Sequence, residues 1–411
     1  MQKNAKKISA EAKMSRRNFI GGAAASAFVF TIMKPSLVVG SEANSKVKVG
    51  IIGLGGRGSW LGDLIVNHGG YKIVAVADYF DEVVQAAGDK FGVPKEKRFS
   101  GLSGYKKLIE SGVDAVFHET PPYCFPDHVK TSVDASRHVY LAKPLGCDVP
   151  GCHSIEESAK KAKENKKVFL VDFQTRTDPF YIEGIKRVQN GDIGKPVLLN
   201  SIYTDEGFED PPKTKSIESR LRFLRWVNDN DLGGGYLVNA GIHAVDVALW
   251  IAGGRPVSAM GSSRIAVEKP NGDSHRVFSL TYEFANGLVL NHWGEHINNR
   301  MGFTSQCFAY CQDGFLETQY TGQVRMLGNK TGYVGGNVGD LYRKGAERNI
   351  DTFHKSIMNG DFSNPTVEPS VNSTLTTILG REAAVRNTKL TLEEVLKENK
   401  KLKVDFTGLK E

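Results

Sequence analysis

Several things are scarce in this chain of 411 residues. Cysteine is one: Cys124, Cys147, Cys152, Cys307 and Cys311 are an odd number without metal-ligand spacing, so they read as small core residues and no metal is expected. Cys307 and Cys311 would share a strand face, too far apart along it to bond. Beyond the first forty or so residues no run is expected to be apolar enough to span a bilayer. There is no internal repeat and no low-complexity segment. Net charge is missing too, once its source is removed. Up to Ser41 the chain holds Lys3, Lys6, Lys7, Lys13, Arg16, Arg17 and Lys34 against Glu11, a net of +6, while the whole chain carries +7. The remainder is therefore close to neutral, which excludes a nucleic-acid partner.

What the first residues do contain is a Lys-rich start, the stretch Ser15-Arg16-Arg17-Asn18-Phe19-Ile20, and a short apolar run from Ile20 to Met33. Paired arginines before a short apolar core describe a twin-arginine export signal, over residues 1–44, with cleavage expected between Ser41 and Ala43. No cysteine lies near that zone, which argues against a lipid anchor. A periplasmic protein is expected.

The roughly 370 residues that follow exceed what one core usually supports, so two domains are expected. In the first, over 45–173, apolar β-rich runs ("KVGIIG", "KIVAVAD", "DAVFHET", "HVYLAK", "KVFLVDF") alternate with helical or loop segments. That alternation predicts an α/β, doubly wound parallel sheet. In the second, over 174–411, longer strands follow with little helix between them, one pair turning at Asn286-Gly287. They predict an α+β domain with a large, mostly antiparallel sheet, open on one face.

Gly53-Leu54-Gly55-Gly56-Arg57-Gly58 fits G-x-G-x-x-G, a weak pattern made specific by its context. A strand precedes it, a helix follows, and Asp78 closes the next strand twenty residues later. The first glycine permits a tight turn, the second lets backbone approach a pyrophosphate, and the third packs helix on strand. Asp78 would accept from adenosine ribose hydroxyls and repel a 2′-phosphate, with no cation at Tyr79 or Phe80 to offset it. The cofactor expected is NAD.

The stretch "HVYLAKPLG" (His138–Gly146) follows a Thr120-Pro121-Pro122 turn and a helix containing His128. Farther on stands "GGGYLVNAGIHAVDVALWIAGG" (Gly233–Gly254). In this order and spacing the chain resembles the glucose-fructose oxidoreductase / inositol dehydrogenase / rhizopine catabolism (Gfo/Idh/MocA) family. The resemblance implies a Rossmann domain carrying NAD, which Thr120, Pro121, Lys143 and Pro144 would help to hold. A sugar or polyol would lie against the second domain's sheet. It implies a lysine between nicotinamide and substrate at Lys143, a proline often cis at Pro144, and a proton-shuttling histidine at His243. Gln174 and Arg176 fall where the family often places substrate-facing groups. Two positions depart from the family's pattern: Ala142 stands for a glutamate before Lys-Pro, and Asn239 for an aspartate four residues before the histidine.

The chemistry agrees with those roles. Oxidising a secondary alcohol needs a group titrating near neutrality to take the hydroxyl proton, and histidine suits that. A nearby ammonium stabilises developing alkoxide. On an α-helix Asn239, His243 and Asp246 would share one side, while Leu237, Val238, Ile242, Val245 and Leu249 would supply a core stripe. Trp226 is either a sugar-stacking platform or an ordinary buried indole. His292 and His296 either line the sugar site beside Trp293 or sit exposed near a strand end; His118 reads as structural.

A folded chain exported with NAD meets no free NAD outside, so the cofactor must be held tightly and restored on the enzyme. The reading is a periplasmic NAD-dependent oxidoreductase of a sugar, polyol or glycoside, with a homo-oligomer expected through the second sheet. Two alternatives stand beside it. One is a redox-neutral glycosidase working through a transient keto-sugar; the other is a non-catalytic sugar- or NAD-binding protein.

Overall fold

The structure, a computed structural model, describes residues 46–411. The expected export signal and its cleavage zone lie outside the described residues.

The first half is built from β1 (Val47–Ile52), α1 (Gly56–His68), β2 (Tyr71–Asp78), α2 (Asp81–Phe91), β3 (Arg98–Ser100), α3 (Gly104–Glu110), β4 (Ala115–His118), α4 (Phe125–Asp134), β5 (His138–Ala142), α5 (Val149–Glu164) and β6 (Phe169–Asp172). All strands are parallel, in the order β3-β2-β1-β4-β5-β6. The order reverses between β1 and β4, the topological switch point where such sheets bind ligands at their carboxyl ends. The central strands are near-continuous apolar runs because helices cover both faces; β4 is buried at every residue. Of these strands only the three-residue β3 went unread in the sequence.

The second half runs through α6 (Pro179–Gln189), β7 (Pro196–Asp205), α7 (Asn230–Gly233), α8 (Ile242–Ala252), β8 (Ser258–Arg264), β9 (Val277–Glu283) and β10 (Val289–His296). It continues with β11 (Thr304–Cys311), β12 (Gly314–Gln319), β13 (Gln323–Gly328), β14 (Gly332–Asn337), α9 (Leu341–Asn359), α10 (Val367–Arg386), β15 (Leu390–Thr391) and α11 (Leu392–Glu398). Its nine strands form one sheet, β14-β13-β12-β11-β7-β10-β9-β8-β15, antiparallel except where β10 lies parallel to β7. Residues alternate in and out along these strands, and α8 and α10 cover one face. The other face is open and carries Trp293, Tyr310 and Leu327. The hairpin between β9 and β10 turns at Asn286-Gly287, with Gly287 in the left-handed region.

Two helices bind the halves together. Ala346, Ile350 and Phe353 of α9 complete the apolar core beneath the first sheet. α10 is buried along most of its length, and its row of hydroxyls bonds back to its own carbonyls, as Thr374 does to Ser370. Asn230–Ala252, contrary to the expectation from sequence, is long and apolar enough by composition to cross a membrane; 83% of its most apolar window is buried in the fold.

Candidate functional site

The glycine turn forms as its spacing requires. Gly53 has φ +90°, and a Cβ on Gly58 would stand 1.8 Å from the Gly53 carbonyl oxygen, so neither position accepts a side chain. A Cβ on Gly55 or Gly56 would meet nothing within 4 Å, so the turn's outer edge is open to a ligand. A cavity of about 450 Å³ opens there, lined by all four glycines, Arg57, Asp78, Thr120 and Pro121. The Asp78 carboxylate is fixed by the N–H groups of Leu54 (2.7 Å) and Phe80 (3.1 Å), and burial raises its pKa.

Three features of this cavity were not legible in the sequence. Residues 221–224, on the long connection from β7 to α7, form part of its wall, and Trp226 lies here too. Arg222 stacks over Phe80 at 3.6 Å and pairs with Glu82, so a cation does stand beside Asp78, supplied from the second half of the chain. Phe406 and Tyr342 complete the wall.

The second group of residues gathers around Lys143. The Lys143-Pro144 bond is cis, as the resemblance implied. Lys143 Nζ donates to the backbone carbonyl of Asn239 at 2.8 Å. That carbonyl belongs to a π-helical turn, Leu237–Gly241, which leads into α8. Asn239 therefore does not continue the α-helical register of His243 and Asp246, which keep their i,i+3 spacing on α8. Arg381 of α10 fixes this arrangement by donating to both Cys147 O (2.9 Å) and Gly234 O (3.0 Å), which ties the Lys-Pro turn to the triple glycine.

His243 stands among Tyr320, Tyr203 and Phe173, with ring centroids 5.9, 6.2 and 6.3 Å away. Its Nδ1 is buried with no partner among the described residues. Burial, then the charges of Lys143 and Arg57, hold its pKa well below the ordinary value, so the imidazole is neutral at pH 7. Burial also brings Lys143 down, to about 7, helped by Arg57.

Arg57 itself lies between two buried carboxylates, Glu119 (Nε to Oε2, 3.3 Å) and Asp172, at the ends of β4 and β6. Neither acid was singled out in the sequence, since only the strand order shows that these ends converge. Burial pushes Glu119 up to about 7.

The remaining expected residues divide. Gln174 is buried beside Asp172, with its Nε2 3.4 Å from Oδ2. Arg176 makes a forked pair with Asp246, which also accepts from Ser373 (2.6 Å), so its charge is engaged inside the fold. His292 is buried under Gly241 and Gly294, its Nδ1 2.8 Å from Ser201 Oγ and its Nε2 unpartnered among the described residues. His296 is buried against Tyr236, so neither histidine takes the exposed alternative. His118 is fully buried beside Ser132.

The residues present fit NAD. The glycine cradle admits backbone approach to phosphates, Asp78 faces the cavity at the end of β2, and its carboxylate suits a ribose diol. Residues 47–173 match the family described as "Oxidoreductase family, NAD-binding Rossmann fold", and residues 184–317 match "GFO/IDH/MocA C-terminal domain". A relative in Bacillus subtilis (strain 168), scyllo-inositol 2-dehydrogenase (NAD(+)), is 27% identical over 54% of this chain. The match spans 58% of that relative, less than two thirds of its length. Among solved structures, aldose-aldose oxidoreductase from Caulobacter crescentus superposes with a TM-score of 0.68 at 17% identity, over 84% of this chain and 99% of that one. Myo-inositol 2-dehydrogenase from Lactobacillus plantarum does so at 0.67 and 20%, over 84% and 99%. At such identities these two likenesses establish the fold.

Proposed function

Because the chain belongs to the Gfo/Idh/MocA oxidoreductase family, whose two domain matches together span well over half of it, we propose that it oxidises and reduces a secondary hydroxyl of a sugar, polyol or glycoside. NAD, when bound, supplies the hydride acceptor and donor. The observation that carries the reading is the joining of Lys143, through the carbonyl of Asn239, to the turn that leads into the helix bearing His243. A neutral imidazole in an aromatic pocket accepts the hydroxyl proton, and the Lys143 ammonium steadies the oxygen as its charge develops. Buried rings around His243 exclude water from that proton.

The expected twin-arginine signal supports export to the periplasm by that machinery, with the cofactor carried inside the folded chain. The long wall formed by residues 221–224 and Phe406 supports tight retention. The open sheet face supports a homo-oligomer built through it. The names of the inositol dehydrogenases make cyclic polyols the first substrates to try.

Incubating purified protein, supplied with NAD in excess of substrate, with a panel of inositols, aldoses and glycosides, read by mass spectrometry, tests the proposal. A keto product two mass units lighter is expected. A released aglycone with no net oxidation would favour the redox-neutral glycosidase, and no change with any compound would favour the non-catalytic alternative.

A further inference from the structure

Glu119 is set where its carboxylate has little freedom. It follows β4 directly, and its backbone carbonyl lies 2.6 Å from where a Cβ on Gly53 would stand. Its own Cβ is 3.4 Å from the corresponding point on Gly58, so the residue is clamped against the dinucleotide turn. Oε2 takes the Arg57 guanidinium. Arg57 is fixed in turn by Asp172, which accepts from Asn349 Nδ2 (2.6 Å). Oε1 is buried and has no partner among the described residues, yet Glu119 lines the dinucleotide cavity. A buried carboxylate oxygen left without a donor is costly, and its presence calls for a donor from outside the chain.

The strand order says which part of a dinucleotide that donor belongs to. Asp78 ends β2, on one side of the glycine turn; Glu119 directly follows β4, on the other, and Lys143 directly follows β5, the next strand in the sheet. The two acids therefore flank the switch point, with Glu119 on the side of the chemistry. Ala142, which pairs with Asp172 across β5 and β6, brings no carboxylate of its own.

We propose that Glu119 reads the nicotinamide half of the bound dinucleotide, accepting at Oε1 a hydrogen bond from a ribose hydroxyl or the carboxamide N–H, and that Arg57 is the positioning residue that aims it. The proposal rests on the NAD reading above.

Calorimetric titration of nucleotide-free, full-length protein with ADP, ADP-ribose and NAD tests it. In Glu119→Gln, which keeps an acceptor oxygen but loses its charge, NAD binding weakens roughly 10-fold, the difference between a charged and a neutral hydrogen bond, while ADP affinity is unchanged. If ADP-ribose weakens with NAD, the donor is the ribose; if it does not, the donor is the carboxamide. Glu119→Asp, which keeps the charge, recovers part of the loss. Arg57→Lys, which keeps a cation but loses the fork, reproduces the differential loss and serves if Glu119→Gln fails to fold. Equal losses for ADP and NAD, or no loss for either, would overturn the proposal. A wild-type protein that binds none of the three would instead overturn the NAD reading.

Discussion

Lys143 is held to the backbone of Asn239, and not to its side chain. The amide at position 239 is thus free to change without releasing the lysine. Asn239→Asp brings a carboxylate next to an ammonium whose pKa burial has lowered to about 7, and the new charge should raise that value. Reduction of a keto compound needs a cation at the carbonyl oxygen. That cation is present below about pH 7 in the wild type and is lost above it, so the reductive rate should fall as pH rises through about 7. In Asn239→Asp the falling limb should move upward, and in Lys143→Arg, always charged, it should vanish. Single-turnover rates from pH 5.5 to 9 decide this; an unmoved limb in both variants would assign it to another group.

His243 makes the complementary prediction. Its pKa lies well below 6.5, so no limb near neutrality belongs to it. His243→Ala should lower turnover by roughly 10²–10⁴-fold, the usual size of a general acid–base contribution. The loss should appear in kcat, with NAD binding and melting temperature nearly intact. Near-full turnover in both directions would make the histidine a packing residue.

Cofactor choice should depend on two residues from opposite halves of the chain. Asp78→Ala should weaken NAD binding and narrow the gap to NADP, since Arg222 then stands within the same cavity without the opposing carboxylate. Adding Arg222→Ala should restore the gap by weakening NADP alone. Parallel titrations with both dinucleotides measure it; equal NADP affinity in the single and double variants would show that Arg222 is spent on Glu82.

These residues also mark what a linear reading can reach. All strands of the first sheet but the short β3 were legible as apolar β-branched runs, and the glycine turn and Asp78 from spacings within one short stretch, whereas Lys143 and His243 entered only as what the family resemblance implies. Burial and turn geometry at those places depend on neighbours in sequence. Glu119 and Asp172 were not legible, because they come together only through a strand order that places β4, β5 and β6 side by side. Arg222 and Phe406 were hidden for the same reason at longer range. The π turn escaped because "LVNAG" satisfies an ordinary helical pattern.

Retention of the cofactor should depend on the wall that closes over its cavity. Residues 221–224 are anchored from beneath: the fully buried Arg220 joins Asp229 (2.7 Å) to Asp210 (2.5 Å), and Asp210 also takes Arg276. On that base Phe223 and Leu224 both adopt positive φ, 49° and 61°, a conformation bulky residues rarely hold unless their surroundings impose it. From the other side the segment bearing Phe406 is pinned by Leu102 N to Lys410 O (3.0 Å) and by Lys410 N to the Tyr79 hydroxyl (3.2 Å), with Phe406 edge-on to Tyr123. For a dinucleotide to leave, one of these two walls has to open. Phe406→Ser, which keeps the backbone bonds but removes the ring, should speed NAD release by roughly tenfold, the equivalent of about 1.4 kcal/mol of lost contact. Leu224→Gly, which relieves the left-handed strain while removing a wall residue, should do the same with little change in melting temperature. Nucleotide absorbance followed through gel filtration and timed dialysis reads both. Wild-type protein that loses its nucleotide as fast as the two variants would mean that the walls do not set retention, and a freely exchanging cofactor would then argue against export with NAD inside.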